Sequence, residues 1–411
     1  MEDLLYYDVH KANVRNSTIS GFTLPRSTDA GLKFKLYCIF IDWLLVVCFI
    51  FMAVQISHGR LVPAILPDVV STYLMMYGVV GTVYYRYYFE SFQRIFKAFN
   101  EITKECVEFP PIRGPNFRER ILLENQLMYK CVSYIPATLL ISAFTFYMPF
   151  VLRILLFGIR DEADERITDE STAGRLKEAG RHFLCMLGAQ FGGSRKATVE
   201  WFLASLMTLS LTHLNHLEAI AGDTVCGSSA INLPENYQST MEQNEVLTVD
   251  NKVKKWVMIH QKILKLNSDI SQTVNPLLIF YFTTIVLTCG VVTCVVIMAE
   301  EFSYIERVSA GYFGFSSLVM FSILCYIGNL INIKSRQVSA DLFWNSYKSE
   351  EFLSRSILSN LKIILSRTHT PITFAAYKSD KINLMNETFV SCGFSIFSLI
   401  STIRKFNTSK L

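Results

Sequence analysis

Seven blocks, each about 20 residues long and mostly apolar, recur along the chain, and that is the length an α-helix needs to cross a bilayer core. They are Leu36–Ile56, Val69–Tyr88, Cys131–Phe157, Thr198–Ile220, Pro276–Met298, Tyr312–Ile333 and Ile382–Ile403. A segment inside lipid must satisfy its backbone within itself, and helices do so. The pattern therefore predicts an all-α, multi-pass membrane protein with seven transmembrane helices. Composition agrees. Hydrophobic residues make up 51% of the 411 positions and charged ones 18%, against roughly a quarter charged in a soluble domain. The net charge of +4, with no Lys/Arg cluster, argues against a nucleic-acid partner. Met1–Lys35 is polar and mixed in charge with no apolar signal region, so the first span is expected to act as its own anchor.

Orientation follows from where Lys and Arg fall between the blocks. With the N-terminus inside, the inner segments (Met1–Lys35, Phe89–Lys130, Ala221–Asn275, Lys334–Lys381) hold 25 basic residues and the outer ones 12. The one outer loop rich in Lys and Arg, Gly158–Ala197, also carries seven acids. The expectation is a cytoplasmic N-terminus and an extracellular C-terminus, opposite to a G-protein-coupled receptor. No Asp-Arg-Tyr follows the third span, and the Asn275-Pro276 pair opens the fifth span instead of closing the seventh.

The inner segments carry their own helical patterns. Phe89–Phe99 repeats aromatics at helical spacing, so the second span is expected to run on past the membrane. Lys252–Asn275 sets Val253, Trp256, Val257, His260, Ile263, Leu264 and Leu266 mostly on one face. Val338–Leu365 does the same with Leu342, Phe343, Phe352, Leu353, Ile357, Leu361 and Ile364. Such faces need a partner, either the membrane surface or one another.

The last span is the most polar of the seven, and Ser391, Ser395, Ser398 and Thr402 recur along it at spacings that share one face. A hydroxyl stripe on a membrane helix serves close packing as readily as it lines a pore. In the fourth span, Glu200, His213, His216 and Glu218 are ionisable, and the two acids lie near its ends, where they can reach water. His213 and His216 lack a Cys or carboxylate at ligand spacing, so no metal site is read. Ten cysteines lie mostly in or beside apolar blocks without a Cys-x-x-Cys pair, which fits small apolar residues and no disulfide framework. No nucleophile–base pair, phosphate loop or redox motif suggests an enzyme, and no cofactor is implied.

The C-terminal third carries a specific resemblance. Ala340–Ala376, with Trp344, a basic helix and Ser366-Arg367 leading to Pro371, resembles the insect odorant receptor family. Asn383–Leu399 continues it with Phe389 and Ser395-x-x-Ser398-Leu, and His260 to Pro276 followed by LLIFYFTTIVLTCG resembles the approach to that family's fifth span. The likeness is specific over about Trp256–Phe406; before that it rests on topology and length.

The resemblance implies one subunit of a tetrameric, non-selective cation channel in the plasma membrane of a sensory dendrite. An odorant-binding tuning subunit there joins a shared co-receptor. Residues 36–220 would hold spans 1–4 and most of a pocket for a small volatile, 221–381 spans 5–6 and an intracellular anchor, and 382–406 the pore-lining helix. The gustatory relatives' Thr-Tyr…Gln-Phe motif is absent from SIFSLISTIRKF, and Ala221–Asn275 is shorter than the co-receptor's loop. The alternatives are a gustatory-receptor-like channel, or a polytopic GPCR-like receptor or transporter. Pore candidates are Ser391, Ser395, Ser398, Thr402 and Phe406. Ligand candidates in the outer halves of the spans are Tyr73, Met76, Tyr77, Phe146, Tyr147, Phe150, Phe202, Met207, Tyr312, Phe313 and Ser316. For each of these singly, helix packing or lipid contact is the competing role. With the N-terminus inside, the Asn16-Ser-Thr sequon stays unmodified on expression in insect cells; an endoglycosidase-sensitive mass shift that Asn16→Gln abolishes would reverse the orientation.

Overall fold

The computed structural model describes residues 15, 21, 32–57, 62–111, 115–126, 130, 134, 172–225, 238–298, 304–348, 372–374 and 383–408. Seven long helices lie among them: α1 (Leu32–Ser57), α2 (Val62–Tyr87), α3 (Phe89–Val107), α4 (Thr172–Val225), α5 (Gln238–Met298), α6 (Tyr304–Lys348) and α7 (Asn386–Thr408). A shorter helical stretch covers 117–126. Six of the seven apolar blocks fall on α1, α2, α4, α5, α6 and α7. The third, Cys131–Phe157, lies outside the described residues apart from Tyr134.

The spans and the amphipathic segments are continuous. The 61 residues of α5 correspond to about 92 Å of helix, three times what a bilayer core requires. Its first part buries Val253, Trp256, His260, Ile263 and Leu266, the face expected from the sequence. Pro276 sits inside the helix at the change from that part to the apolar span. Between α2 and α3 only Tyr88 interrupts the helix. The Tyr88 amide donates to Tyr84 O at 2.9 Å and the Phe92 amide to Tyr88 O at 3.0 Å, so the ladder crosses the junction. The expected run-on is therefore present.

Contacts fix the directions of the helices. Gly188 of α4 faces Met75 of α2, Arg195 reaches Thr82 and Phe202 meets Tyr85, so α2 and α4 run the same way. That parallel course is what an intervening span demands. On α1, Cys48 lies at Gly188 and Asp42 at Arg195, an antiparallel course. On α5, Trp256 donates to Leu217 O (3.0 Å), Asn267 meets Ser210 (2.5 Å) and Tyr281 faces Lys196, again antiparallel to α4. On α6, Phe321 packs on Tyr281 and Lys334 pairs with Glu218 at 2.7 Å, so α6 follows α4. Leu384, just before α7, lies by Gly328 and Phe389 by Phe321, reversing direction once more.

The fourth block is placed differently from the sequence expectation. Residues 206–220 bury Leu206, Leu209, Leu214 and Leu217, and they lie beside α3 and the 256–267 part of α5. The sequence pattern places both of those partners beyond the membrane. A helix buried in protein is as apolar as one facing lipid, and hydropathy does not separate the two. Conversely, 172–197, read as part of an outer loop, is helix. Two of the 12 basic residues counted outside, Arg195 and Lys196, are therefore buried in the bundle. The Lys/Arg asymmetry grows accordingly.

Elsewhere α1 turns Leu36, Phe40, Trp43, Val47, Ile50 and Val54 outward along one side, a surface suited to lipid tails. The segment 372–374 is wedged between helices. Leu384 N donates to Phe374 O (2.8 Å), Ile372 N to Ser335 Oγ (3.2 Å) and Ser271 Oγ to Thr373 O (3.3 Å). It thereby ties the start of α7 to α5 and α6.

Among the described helices, α2 and α4 meet main chain to main chain. A Cβ at Gly192 would lie 2.5 Å from Leu74 O, and one at Gly188 2.7 Å from Met75 Cε. Gly188-Ala-Gln-Phe-Gly192 is a small-x-x-x-small pattern that lets backbones approach. Gly192→Val pushes α2 off α4 at a cost of about 1–3 kcal/mol. Thermal unfolding in detergent is expected to fall by several degrees, whereas Gly180→Ala, with nothing within 4 Å, leaves the midpoint in place.

Candidate ligand region and pore helix

The last helix is two-faced. Cys392 and Ile396 are buried, with Phe389 and Ile400 packed partly against the core. The predicted stripe, Ser391, Ser395, Ser398 and Thr402, is exposed along another side. Ser395 Oγ donates to Ser391 O at 3.0 Å and Thr402 Oγ1 to Ser398 O at 2.9 Å. The Ser395 and Thr402 hydroxyl hydrogens are thus directed into the helix, which leaves their oxygen lone pairs free to face outward. Such a surface offers weak acceptors to a passing cation. Beside it Val390, Phe394 and Phe397 are also exposed, Phe394 by 71% and Phe397 by 69%. The Phe406 side chain lies outside the described residues.

The ligand candidates divide. Tyr77, 1% exposed, packs on Phe280 of α5 with ring centroids 5.3 Å apart. Met76 is half-buried one position before it, and Ser316 lies exposed on α6. Phe202 instead joins Tyr85, Phe92 and Phe96 at 5.6–5.8 Å in an aromatic cluster. Tyr85 lies two turns of α2 from Tyr77, about 12 Å along the axis. Met207, fully buried, lies further in the same direction. The structure thus does not bring Phe202 and Met207 to Tyr77; Phe202 fills the core where α3 joins the bundle, and Met207 is a buried core residue. The side chains of Tyr73, Tyr312 and Phe313 lie outside the described residues, as do Phe146, Tyr147 and Phe150.

Sequence reasoning singled out Glu200 but missed its partner Lys196 and their place beside Tyr77. Lys196 and Glu200, each 5% exposed, form an i,i+4 ion pair at 2.5 Å on α4. Glu200 is therefore not at a span end reaching water. The Lys196 ammonium stands 6.0 Å from the Tyr77 ring centroid and 5.9 Å from that of Tyr281. One residue earlier, Arg195 turns the other way. It pairs with Asp42 at 2.7 Å and donates to Thr82 Oγ1 (2.6 Å) and Gly21 O (3.2 Å). Asp42 also pairs with Arg86. An acid inside the first apolar block, Asp42, was the signal that the bundle holds a buried base.

Three further ionisable groups of α4, His213, His216 and Glu218, find partners on neighbouring segments. His213 Nδ1 lies 2.7 Å from Leu209 O and its Nε2 3.2 Å from Thr103 Oγ1. His216 Nε2 lies 3.1 Å from Phe109 O, and Phe117 lies against both rings. Glu218 pairs with Lys334. A cavity of about 270 Å³ lies at the junction of α2 and α3 against α5, lined by Tyr88, Ser91, Arg94, Asp269, Gln272 and Thr273. None of the candidate ligand residues lines it.

A family profile described as "7tm Odorant receptor" matches residues 182–394, more than half of the chain. Comparison with curated proteins finds no match. Among solved structures, the fold is similar to the insect olfactory receptor OR5 from Machilis hrabei. The TM-score is 0.69 at 11% identity, over 96% of this chain and 97% of that one. The same receptor in complex with eugenol aligns with a TM-score of 0.67 at 12% identity, over 98% and 99%.

Proposed function

Because this chain belongs to the insect seven-transmembrane odorant receptor family, a family of odorant-gated channels, we propose that it is an odorant-binding tuning subunit. In this reading it opens a non-selective cation channel as part of a tetramer with the shared co-receptor, in the plasma membrane of an olfactory dendrite. Its N-terminus is cytoplasmic, its C-terminus extracellular, and the end of the bundle holding Trp256, Glu218 and Lys334 forms the intracellular anchor.

The observation that carries this reading is the arrangement of α7. Hydroxyl oxygens and large apolar side chains are exposed side by side on one helix. A pore-lining helix needs both, since one face meets ions and water while its flank meets the neighbouring subunit. Weak hydroxyl acceptors also suit permeation, where a cation must bind and leave again.

The ligand is a small volatile, held between spans by Met76, Tyr77 and Ser316 together with Tyr73, Phe146, Tyr147, Phe150, Tyr312 and Phe313. OR5 from Machilis hrabei in complex with eugenol supports a small odorant as the ligand class. Binding there rests mainly on apolar burial, about 0.8 kcal/mol per CH₂, so shape discriminates among odorants and a few hydroxyls orient them.

Two experiments test this. Expressed with the co-receptor, the chain gives cation currents when a panel of volatiles is applied; responses that persist without the co-receptor and require G proteins would sink the channel reading. Ser398→Lys places a cation on the stripe and is expected to lower cation conductance about tenfold, an added barrier of ~1.4 kcal/mol. Unchanged conductance and ion selectivity would move the pore away from this face.

A further inference from the structure

The Lys196–Glu200 pair has no part in binding as described above, yet its burial is costly. Two charges withdrawn from water into a bundle are seldom more stable there than well-packed apolar residues of the same volume. Ionisable groups inside membrane bundles accordingly mark functional positions. What distinguishes this pair is its surroundings. The ammonium lies between two aromatic rings from different helices, Tyr77 of α2 and Tyr281 of α5. Tyr77 is among the ligand candidates. Tyr281, 2% exposed, packs edge-on against Phe321 of α6 with centroids 6.0 Å apart. Phe321, fully buried, packs in turn on Phe389 of α7 at 5.8 Å. A chain of contacts therefore runs from the ligand region through one buried cation to the helix that carries the hydroxyl stripe.

We propose that the Lys196–Glu200 pair is a positioning element that couples ligand occupancy at Tyr77 to the setting of α7. The attraction between an ammonium and a ring face depends on the distance and angle between them. A ligand that displaces or tilts the Tyr77 ring changes what holds the ammonium on that side. The ammonium then redistributes toward Glu200 and Tyr281, and Tyr281 bears on Phe321 and Phe389. Glu200, one turn along the same helix, limits that movement to a small arc. Tyr281 and Phe321 are buried and in ring contact, and Phe321 in turn meets the half-buried Phe389, so a shift at Tyr281 is passed on instead of absorbed. This inference rests on the tuning-subunit reading.

The test is electrophysiological, on the full chain with the co-receptor. Wild-type currents evoked by a volatile come first; their absence would count against the tuning-subunit reading and not against the pair. The double variant Lys196→Met/Glu200→Met removes both charges at similar volume, and its surface level is measured by labelling. With surface level retained, the concentration for half-maximal response should rise about tenfold, with the relative permeabilities of Na⁺ and K⁺ unchanged. A purely structural role would alter surface level and leave the concentration dependence in place. Phe389→Leu, alone and combined with the double variant, should give a non-additive shift of at least about fivefold. Additive shifts, or a wild-type concentration dependence in the double variant, would overturn the proposal. Should the double variant fail to reach the surface, Tyr281→Leu, which removes the second ring and keeps the ion pair, must show the same shift and the same coupling to Phe389. A wild-type response from Tyr281→Leu would equally overturn it.

Discussion

Where Gly192 of α4 faces α2, an added Cβ would lie 2.5 Å from the Leu74 carbonyl oxygen, so two membrane helices meet main chain to main chain. Lipid tails are as apolar as leucine, and helices within them are held by close contact and polar bonds rather than by exclusion of water. The contact at Gly192, extended by Gly78 and Gly188, sets α2 and α4 side by side and in register. With that register Arg195 reaches Thr82 and Lys196 reaches Tyr77. A wider crossing would leave two cations in the bundle without their α2 partners.

The two cations are neighbours in sequence and diverge in space. Successive residues of an α-helix point about 100° apart. Arg195 therefore meets Asp42 of α1, while Lys196 turns to Glu200 and the rings of Tyr77 and Tyr281. Each is neutralised locally, as a low-dielectric interior demands. Four helices, α1, α2, α4 and α5, are joined within two positions of one of them. The same level opens, through Phe321, onto α6 and α7.

Away from that level the bundle changes solvent. α1 shows Phe40, Trp43 and Val47 outward without a polar counterpart on the same side. By contrast α3 buries Phe92, Ile95, Phe96, Phe99 and Ile102 on one side. A helix apolar all round fits lipid on its outer surface and protein on its inner one; an amphipathic helix fits protein and water. Because α5 passes from one regime to the other without a break, movement of its span relative to its extension has to be taken up by helix bending, for which Pro276 removes one backbone hydrogen bond.

Membrane class, helix number and family were legible in the sequence because each rests on a local pattern. Block length reports bilayer thickness, and the stretch from Trp256 to Phe406 carries the family's motifs. The hydroxyl face of α7 was also local, since residues three and four apart share a side wherever the helix is placed. Other features needed the tertiary structure. Hydropathy could not tell that 206–220 is apolar through burial among α3 and α5, because protein and lipid make the same demand on a side chain. Nor could it find the partners of Lys196, which stand on α2 and α5, far away along the chain. Phe202 and Tyr77 read alike as aromatic residues of spans, and only the packing of the helices sets Phe202 among the rings of α3 and Tyr77 against Phe280 of α5 and the Lys196 ammonium. The sequence by itself determined what each helix is made of and which medium it tolerates. Which faces meet, and so which charges are paired and which rings touch, was decided by the tertiary packing, the close α2–α4 contact included, since burial and pairing depend on neighbours that no local window contains.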